Sequence, residues 1–229
     1  MHVPDGFLDA PTSLATGAAA VACIGVALVK ARNELDDRTA PMAGLVAAFI
    51  FAVQMLNFPV GAGTSGHLMG GALAAVLVGP WTGLLCMSVV LVVQSLLFAD
   101  GGITALGTNV LLMGIATVAV GWIVFRGLQL LLPRRLALVP LQAGIAAFVS
   151  VPVAAVVFVL LYSVGGTAEI PFDTLMTAMI GVHGLIGLGE GIITFLAVGA
   201  IVAVRPDLVY GARPVLAQRE LVIRTGATA

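Results

Sequence analysis

The chain has 229 residues, of which 60% are hydrophobic and 9% charged, and its mean hydropathy is +1.15. A soluble globular domain carries roughly 25% charged residues, so this composition indicates a membrane protein that crosses the bilayer several times. The formal net charge is −1, and no stripe of basic residues of the kind that nucleic-acid binders carry is present, so no nucleic-acid partner is expected. Metalloprotease, serine-hydrolase and phosphate-loop motifs are also missing, so the chain is not expected to be an enzyme or to use ATP itself.

Apolar runs separated by polar or turn-rich breaks predict membrane-spanning helices. The runs lie near residues 13–30, 41–58, 68–79, 81–98, 104–125, 140–162 and 173–204. Most approach the roughly 20 residues that cross the bilayer core, and backbone groups in lipid must be paired within the segment, which favours helices. The run 68–79 is short and would cover only about 18 Å. We expect one transmembrane domain over 1–204 and a cytoplasmic tail over 205–229, interfacial or disordered.

The basic residues predict the orientation. All ten Lys and Arg lie within three segments, 30–38, 126–135 and 205–224. Cytoplasmic loops are enriched in Lys and Arg, so we expect the N-terminus outside and the C-terminus in the cytoplasm. An odd number of crossings must then separate Asn57 from Arg126, and the short run 68–79 must be one of them. The predicted fold is therefore an all-α, polytopic membrane protein with seven transmembrane helices, one of them short.

A short third helix has a consequence for the segment before it. Residues 59–67 must then dip into the membrane, where irregular backbone is tolerated only if it is buried in protein or lines a wet cavity. His67 would stand at the top of the short helix and face an outward pocket. The predicted outer segments carry acidic residues without basic partners, which should attract cations. These residues are Asp5, Asp9, Asp100, Glu169 and Asp173.

The N-terminal residues Met1 and His2 form a chelating motif. The α-amine, the His2 amide nitrogen and the His2 imidazole can close two fused rings on one divalent ion, and planar nitrogen sites suit Ni(II) and Cu(II), while imidazole also suits cobalt. No basic region typical of a signal peptide precedes the first apolar run, so we expect the mature chain to start at Met1. The alternative is that His2 merely follows the initiator.

His67 is the candidate for a fourth nitrogen ligand. The first ten residues span at most about 33 Å when extended, and Pro4-Asp5-Gly6 is typical of a turn that could fold Met1 and His2 back toward the bundle. The alternative for His67 is a structural role beside a glycine-rich segment. Five further residues are candidates to orient the ligands or line the pocket, although some of them could equally be ordinary helix ends. They are Asp5, Ser65, Gln94, Asp100 and Asn109.

His183 and Glu190 are seven residues apart in the last apolar run and share a helix face. A helix that starts near Asp173 places Glu190 about 26 Å along the axis, too deep to join His67 directly. The functional interpretation of the pair is a gate or a proton-linked group. The structural interpretation, which we favour for Glu190, is an interhelical hydrogen bond.

The opening segment Met1-His2-Val3-Pro4-Asp5-Gly6-Phe7-Leu8 resembles the N-terminal signature of the CbiM/NikM family. The resemblance extends over Asn57-Phe58-Pro59-Val60, the segment 63–71 and the segment 183–191, and covers the chain to about Arg205. That family supplies the substrate-binding membrane subunits of energy-coupling-factor cobalt and nickel importers. The resemblance implies seven helices, an outer N-terminus, and metal bound by the Met1 amine, the His2 amide and imidazole, and His67.

The resemblance also implies the cargo and the partners. The ion would be Co²⁺ or Ni²⁺, with no cofactor, and Pro4-Asp5, where many cobalt-type members read Met-Glu, does not settle which. The expected partners are a membrane coupling subunit, cytoplasmic ATPase subunits and a small accessory membrane subunit, in a bacterial or archaeal cytoplasmic membrane. The alternative function is a stand-alone secondary metal/proton transporter that uses His183 and Glu190, and ATP dependence of uptake separates the two.

Overall fold

The computed structural model of the protein describes residues 2–36, 39–56, 58–60 and 64–218. Helices account for most of it, and a short antiparallel strand pair interrupts their succession. In chain order the elements are α1 (Ala10–Lys30), α2 (Thr39–Gln54), β1 (Phe58–Val60), β2 (Thr64–Gly66), α3 (Gly71–Val78), α4 (Pro80–Leu97), α5 (Leu106–Asn109), a π-helical segment (Val110–Ala116), α6 (Thr117–Leu131), α7 (Val139–Gly165) and α8 (Phe172–Val204). Single 3₁₀ turns cover Ala31–Asn33, Leu136–Leu138, Pro206–Leu208 and Tyr210–Ala212.

Within the described residues, five helical stretches are long and apolar enough to cross a membrane. They are Ala10–Asn33, Pro80–Leu97, Leu106–Leu131, Leu136–Gly165 and Phe172–Val204. Helix α2 is shorter, and α3 has only eight residues. The prediction of a polytopic helical membrane protein is confirmed. The count of seven crossings and the orientation stay predictions.

Helix α3 lies at the centre of the bundle, and all eight of its residues are buried. Small residues bring its neighbours close. A Cβ added to Gly71 would overlap the side chain of Thr117, and one added to Gly121 would lie 2.8 Å from the Cα of Ala72. Such contacts let helix backbones approach closely, as is common between membrane helices. The short helix that the sequence predicted over 68–79 is thus the core around which the longer helices pack.

Two buried carboxylates accept backbone hydrogen bonds at or just before the first turns of α3 and α4. Glu34, after α1, accepts hydrogen bonds from the backbone N–H of Thr82 at 2.7 Å and of Trp81 at 3.3 Å. Those donors belong to the first turn of α4, whose N–H groups have no partner within the helix. Glu190 of α8 accepts hydrogen bonds from the backbone N–H of Met69 and Gly70, the two residues just before α3. Each carboxylate therefore joins the start of one helix to a distant part of the chain.

Two features depart from the predicted all-helical pattern. Residues of β1 and β2 pair in register Phe58↔Gly66, Pro59↔Ser65 and Val60↔Thr64, so part of the segment expected to be irregular has its backbone paired. The π-helical segment follows Asn109 inside the stretch Leu106–Leu131, and such segments often mark functional positions. A helix prediction from hydropathy cannot distinguish a π-helical segment from the α-helix around it.

The fifth apolar run was predicted to end at residue 125, before Arg126, and that boundary is wrong. The helix continues to Leu131. The Arg126 guanidinium donates to the Gln129 side chain at 2.7 Å and lies over the Trp122 ring, so its charge has partners on the same helix. A long basic side chain whose charged group has such partners can lie in a helix that extends to the membrane surface.

The segment after α8 begins by packing against the bundle. Val209 and Ala212 are fully buried, and the Gly211 carbonyl accepts a hydrogen bond of 2.7 Å from the Gln129 side chain. Arg213 pairs with Asp36 at 3.1 Å. The first part of the predicted tail therefore covers the end of α6 and touches the loop after α1, while residues 219–229 lie outside the described residues.

Candidate metal site

The N-terminal segment is strapped across one end of the bundle, which we call the upper end. The Gly102 amide donates to the Val3 carbonyl at 2.9 Å, and the Asn109 side chain both accepts from the Val3 amide at 2.7 Å and donates to its carbonyl at 3.1 Å. On the other side, the Asp9 amide donates to the Gly165 carbonyl at 2.7 Å. Backbone and side-chain bonds thus fix residues 3–9, which we call the strap, between the loop 98–105 and the end of α7.

Asp5 fastens the strap to the loop after α4. Its carboxylate accepts hydrogen bonds from the hydroxyl and from the backbone N–H of Thr104. These two bonds favour the charged form, so the pKa of Asp5 lies below its ordinary value. Asp5 is therefore ionised at neutral pH and contributes a negative charge at the upper end.

His2 is buried by the strap, and its side chain is 4% exposed. Its Nε2 lies 3.1 Å from the Gln94 Oε1, and its Nδ1 lies 3.1 Å from the Asp100 Oδ1. The amide oxygen of Gln94 can only accept, so Nε2 is the donor in this contact. The contact with Asp100 is within ion-pair distance but is not aligned as a hydrogen bond. The Nδ1 atom is also the imidazole nitrogen nearer to the His2 backbone, as a chelate with the amide nitrogen requires.

His67 faces His2, and the two ring centroids are 4.5 Å apart. His67 is fully buried, and its Nδ1 lies 2.8 Å from the Leu68 carbonyl oxygen, which can only accept. The proton is therefore on Nδ1, and Nε2 carries a lone pair without a hydrogen-bond partner in the described structure. A backbone carbonyl that fixes one ring nitrogen of a histidine is the usual arrangement when the other nitrogen binds a metal.

The remaining predicted pocket residues divide into three groups. Gln94 and Asp100 contact His2, while Asn109 holds the Val3 backbone rather than His67. Asp5 holds the strap through Thr104. Ser65 pairs with Pro59 through the strands, and its side chain is outside what the structure describes. Met1, the predicted source of the α-amine, also lies outside the described residues.

Glu190 does not contact His67 but binds the backbone just after it. Its carboxylate accepts hydrogen bonds from the Met69 N–H at 2.6 Å and the Gly70 N–H at 2.9 Å. Glu190 is 2% exposed, and the contact ties α8 to the two residues that precede α3. His183, seven residues earlier in α8, places its Nδ1 2.9 Å from the Met179 carbonyl oxygen and is 1% exposed.

Side chains alone do not complete a metal site in the part of the chain that the structure describes, where no group of three His, Cys, Asp or Glu residues is arranged around an ion. Two imidazole rings lie together, so a metal held by them would take its further ligands from backbone or terminal groups. The residues that sequence reasoning missed are the ones that position His2, namely Val3, Gly102 and Thr104. Gly102 is the partial exception, because a Gly-Gly pair directly after Asp100 is a signal for close backbone approach.

The fold and this geometry define a class: a multi-pass helical membrane protein whose buried histidines meet beneath an N-terminal strap. The family described as "Cobalt uptake substrate-specific transmembrane region" matches residues 2–208. The chain belongs to this family, CbiM, whose members are membrane proteins of cobalt and nickel transport. The prediction of the family and of a cell-membrane location is confirmed.

Individual relatives agree with this assignment. A putative metal transport protein of Haloquadratum walsbyi is 39% identical over 92% of this chain and 94% of its own length. The cobalt transport protein CbiM of Sorangium cellulosum is 34% identical over 91% of this chain and 94% of its own. A putative fused nickel transport protein, NikMN, of Archaeoglobus fulgidus is 40% identical over 91% of this chain and 68% of its own. These relatives are transport proteins and not enzymes.

A solved structure shows the same fold. The crystal structure of a truncated transition metal transporter superposes with a TM-score of 0.81 at 30% sequence identity. The match covers 89% of this chain and 99% of that chain. The helical arrangement described above is thus shared with a transition metal transporter along almost its whole length.

Proposed function

We propose that the protein is the substrate-capture subunit of an ATP-driven, energy-coupling-factor type importer and binds Co²⁺ or Ni²⁺ from the outer side. The ligands in this proposal are the Met1 α-amine, the His2 amide nitrogen and Nδ1, and the His67 Nε2. The observation that carries it is the pair of buried imidazoles, whose ring centroids are 4.5 Å apart and each of which has a nitrogen that makes no hydrogen bond in the described structure. Four nitrogens in this arrangement suit Ni(II), and imidazole is also a good ligand for cobalt.

The fixed position of the strap supports binding of the ion in a buried site rather than at the protein surface. Residues 3–9 are held by hydrogen bonds to both the loop 98–105 and the end of α7. A contact such as that of Gln94 with the other ring nitrogen of His2 orients the ligand and raises its affinity for metal. The nearby charges of Asp5 and Asp100 would lower the cost of bringing a divalent cation into a buried site.

The proposed partner subunits supply the ATP hydrolysis for which this sequence has no motif. Its sequence has no phosphate-binding loop with a lysine, so uptake against a gradient needs ATPase subunits in the cytoplasm and a membrane subunit that couples them to the capture step. A small accessory membrane subunit completes the proposed assembly. In the alternative of a secondary transporter, Glu190 would have to carry protons, yet its carboxylate already accepts two backbone hydrogen bonds. Uptake by the isolated protein in liposomes without ATP would contradict the importer proposal.

The N-terminal amine gives the sharpest test. One residue added before Met1 moves the amine away from the imidazole, so the same fused rings can no longer form. We expect tight Ni²⁺ and Co²⁺ binding, measured by calorimetric titration of the purified protein, to be lost in this variant and also in His2→Ala and His67→Ala. The matched control is one residue added after Ala229, which should bind as the unmodified protein does. An N-terminally extended protein with native affinity would remove the α-amine from the ligand set.

Metal content of the purified protein identifies the cargo. The named relatives include both cobalt and nickel transport proteins. Protein purified without an N-terminal tag from cells grown with equal cobalt and nickel should retain about one equivalent of one ion, because binding needs deprotonated ligands that the folded site provides. Element analysis of wild type beside His67→Ala separates site-bound metal from metal bound elsewhere.

A further inference from the structure

A shallow pocket lies at the lower end of the bundle, opposite the strap, between the end of α6 and the segment after α8. Two arginines, one buried glutamine and three apolar residues line it: Arg126, Arg134, Gln129, Leu130, Pro214 and Val215. None of these lining residues is acidic. The pocket holds about 10 Å³, which is room for about one oxygen atom. The rest of any ligand must therefore lie against the surface beside the pocket.

Arg126 is held in place by its neighbours. Its guanidinium donates through Nη1 to the Gln129 Oε1 at 2.7 Å, and its Cζ lies 5.8 Å from the centroid of the Trp122 ring. The Gln129 amide in turn donates to the Gly211 carbonyl at 2.7 Å, which fixes the pair relative to the segment after α8. A guanidinium has five N–H donors, and Gln129 uses one of them. The other donors of Arg126 can bind an anion in the pocket.

The two arginines of the pocket carry charge that no carboxylate neutralises within the described residues. There, the arginines that form ion pairs are Arg205, with Asp207, and Arg213, with Asp36. Arg134 is exposed in the loop that follows α6. Arginine binds phosphate oxygens through parallel N–H groups, so two guanidiniums beside one pocket favour a phosphate as the ligand.

The surface beside the pocket is apolar, which favours a lipid over a soluble anion. Leu130 lines the pocket and is 71% exposed, and Ile123, seven residues earlier on the same face of α6, is 69% exposed. Gly127 lies between them, where a Cβ would meet nothing within 4 Å. This face of α6 is therefore open next to the arginines, and an acyl chain can lie along it while the headgroup reaches the pocket.

We propose that the pocket binds the phosphate of an anionic phospholipid whose acyl chains lie along the exposed face of α6. One phosphate oxygen enters the pocket beside Arg126, and Arg134 pairs with the part of the headgroup that stays outside. The predicted orientation places this end at the cytoplasmic leaflet, which is rich in anionic lipids, and basic pockets between helices on that side bind such headgroups.

A bound lipid would also act on the segment after α8. Pro214 and Val215 form the wall of the pocket that faces α6, so a ligand there contacts both parts of the chain and holds them together. The inference does not rest on the proposed capture of metal, because the pocket lies at the other end of the bundle. Arg134→Gln should accordingly bind Ni²⁺ as tightly as wild type.

Native mass spectrometry of the purified full-length protein measures lipid binding directly. The detergent-solubilised protein should bind one phosphatidylglycerol in preference to phosphatidylcholine with the same acyl chains. Arg126→Gln and Arg134→Gln should each weaken phosphatidylglycerol binding about fivefold, the contribution of one basic residue at an anionic lipid surface. Arg135→Gln is the matched control, because it removes the same charge from the same loop but does not line the pocket. Its affinity should equal that of wild type.

Four results would overturn the proposal. They are equal affinities for the two lipids, an equal loss in Arg135→Gln, displacement of the lipid by millimolar inorganic phosphate, and unchanged lipid binding by Arg134→Gln. The second would show a general attraction of the basic loop, and the third would assign the pocket to a soluble anion. If the Arg134→Gln importer also lost its membrane coupling subunit on purification, the pocket would be a protein contact. If Arg126→Gln does not fold, Arg134→Gln against Arg135→Gln decides, because both arginines are exposed in the loop.

Discussion

At the scale of single residues, the site depends on how closely the strap approaches the loop after α4. Gly102 lies directly under the strap, and a Cβ there would overlap the Asp5 amide nitrogen and lie 2.8 Å from the Pro4 carbonyl carbon. The Gly102 amide also donates to the Val3 carbonyl. A side chain at this position must therefore lift the residues that hold His2 in place.

Gly102→Ala should accordingly weaken metal binding although it touches no ligand. We expect a loss of about 10- to 100-fold in Ni²⁺ affinity, as for other residues that orient metal ligands. Calorimetric titration measures it. Gly127→Ala is the matched control, because a Cβ at Gly127 meets nothing within 4 Å. Equal affinities in the two variants would show that the strap does not set the position of His2.

At the scale of helices, buried carboxylates link elements that are distant in sequence. Glu34 accepts from Trp81 and Thr82 at the start of α4, and it is 4% exposed. Burial raises the pKa of this carboxyl above its ordinary value, while the backbone hydrogen bonds from Thr82 and Trp81 and the charge of Arg213 oppose that shift. Burial is the largest of these effects, so the proton is held more tightly in the folded protein than in the unfolded chain.

The direction of that shift fixes a pH dependence. A group whose pKa is raised on folding contributes stability that is fully present below its unfolded pKa, near 4.5 for Glu34, and is lost as the pH rises through the folded pKa. Glu34→Gln cannot titrate, so the stability of wild type relative to Glu34→Gln should fall as the pH rises above about 4.5. Unfolding by sodium dodecyl sulfate at several pH values measures this difference. A difference that grows with pH would mean that hydrogen bonding, not burial, dominates at Glu34.

At the scale of the whole molecule, the strap and the segment after α8 cover opposite ends of one bundle. Residues 3–9 close the upper end, where His2 and His67 meet. Residues 206–212 close the lower end against α3 and α6. The predicted orientation puts the upper end outside the cell, so the proposed capture site would face the ion supply.

Thiol labelling tests this orientation. In a protein with Cys23 and Cys86 replaced by alanine, a cysteine at exposed Ile103 should react with a membrane-impermeant maleimide in intact cells. A cysteine at exposed Arg134 should react only after the membrane is permeabilised, because basic segments stay in the cytoplasm. The two sites serve as controls for each other. If only Arg134→Cys were labelled in intact cells, the membrane orientation would be the opposite of the predicted one.

The sequence by itself determined the class of the protein and the identities of the two histidines at the site. Hydropathy over long runs reports burial in lipid directly, which is why the helices α1, α4, α7 and α8 lie where the apolar runs predicted them. The position of His2 and the Gly-rich surroundings of His67 were also readable as local patterns. The continuation of the helix past Arg126 was not readable from the sequence, because local hydropathy does not show the contacts with Gln129 and Trp122.

Only the tertiary structure decided how the site is built. The contact of His2 with Gln94 joins residues 92 positions apart, and the bond from Met69 to Glu190 joins residues 121 apart. The tertiary structure also gave Asn109 the Val3 backbone as its hydrogen-bond partner. Periodicity fixes which face of a helix is apolar, but a hydrogen bond between two helices depends on their relative height and rotation. Those are set by the packing of the whole bundle around α3, which no local pattern encodes.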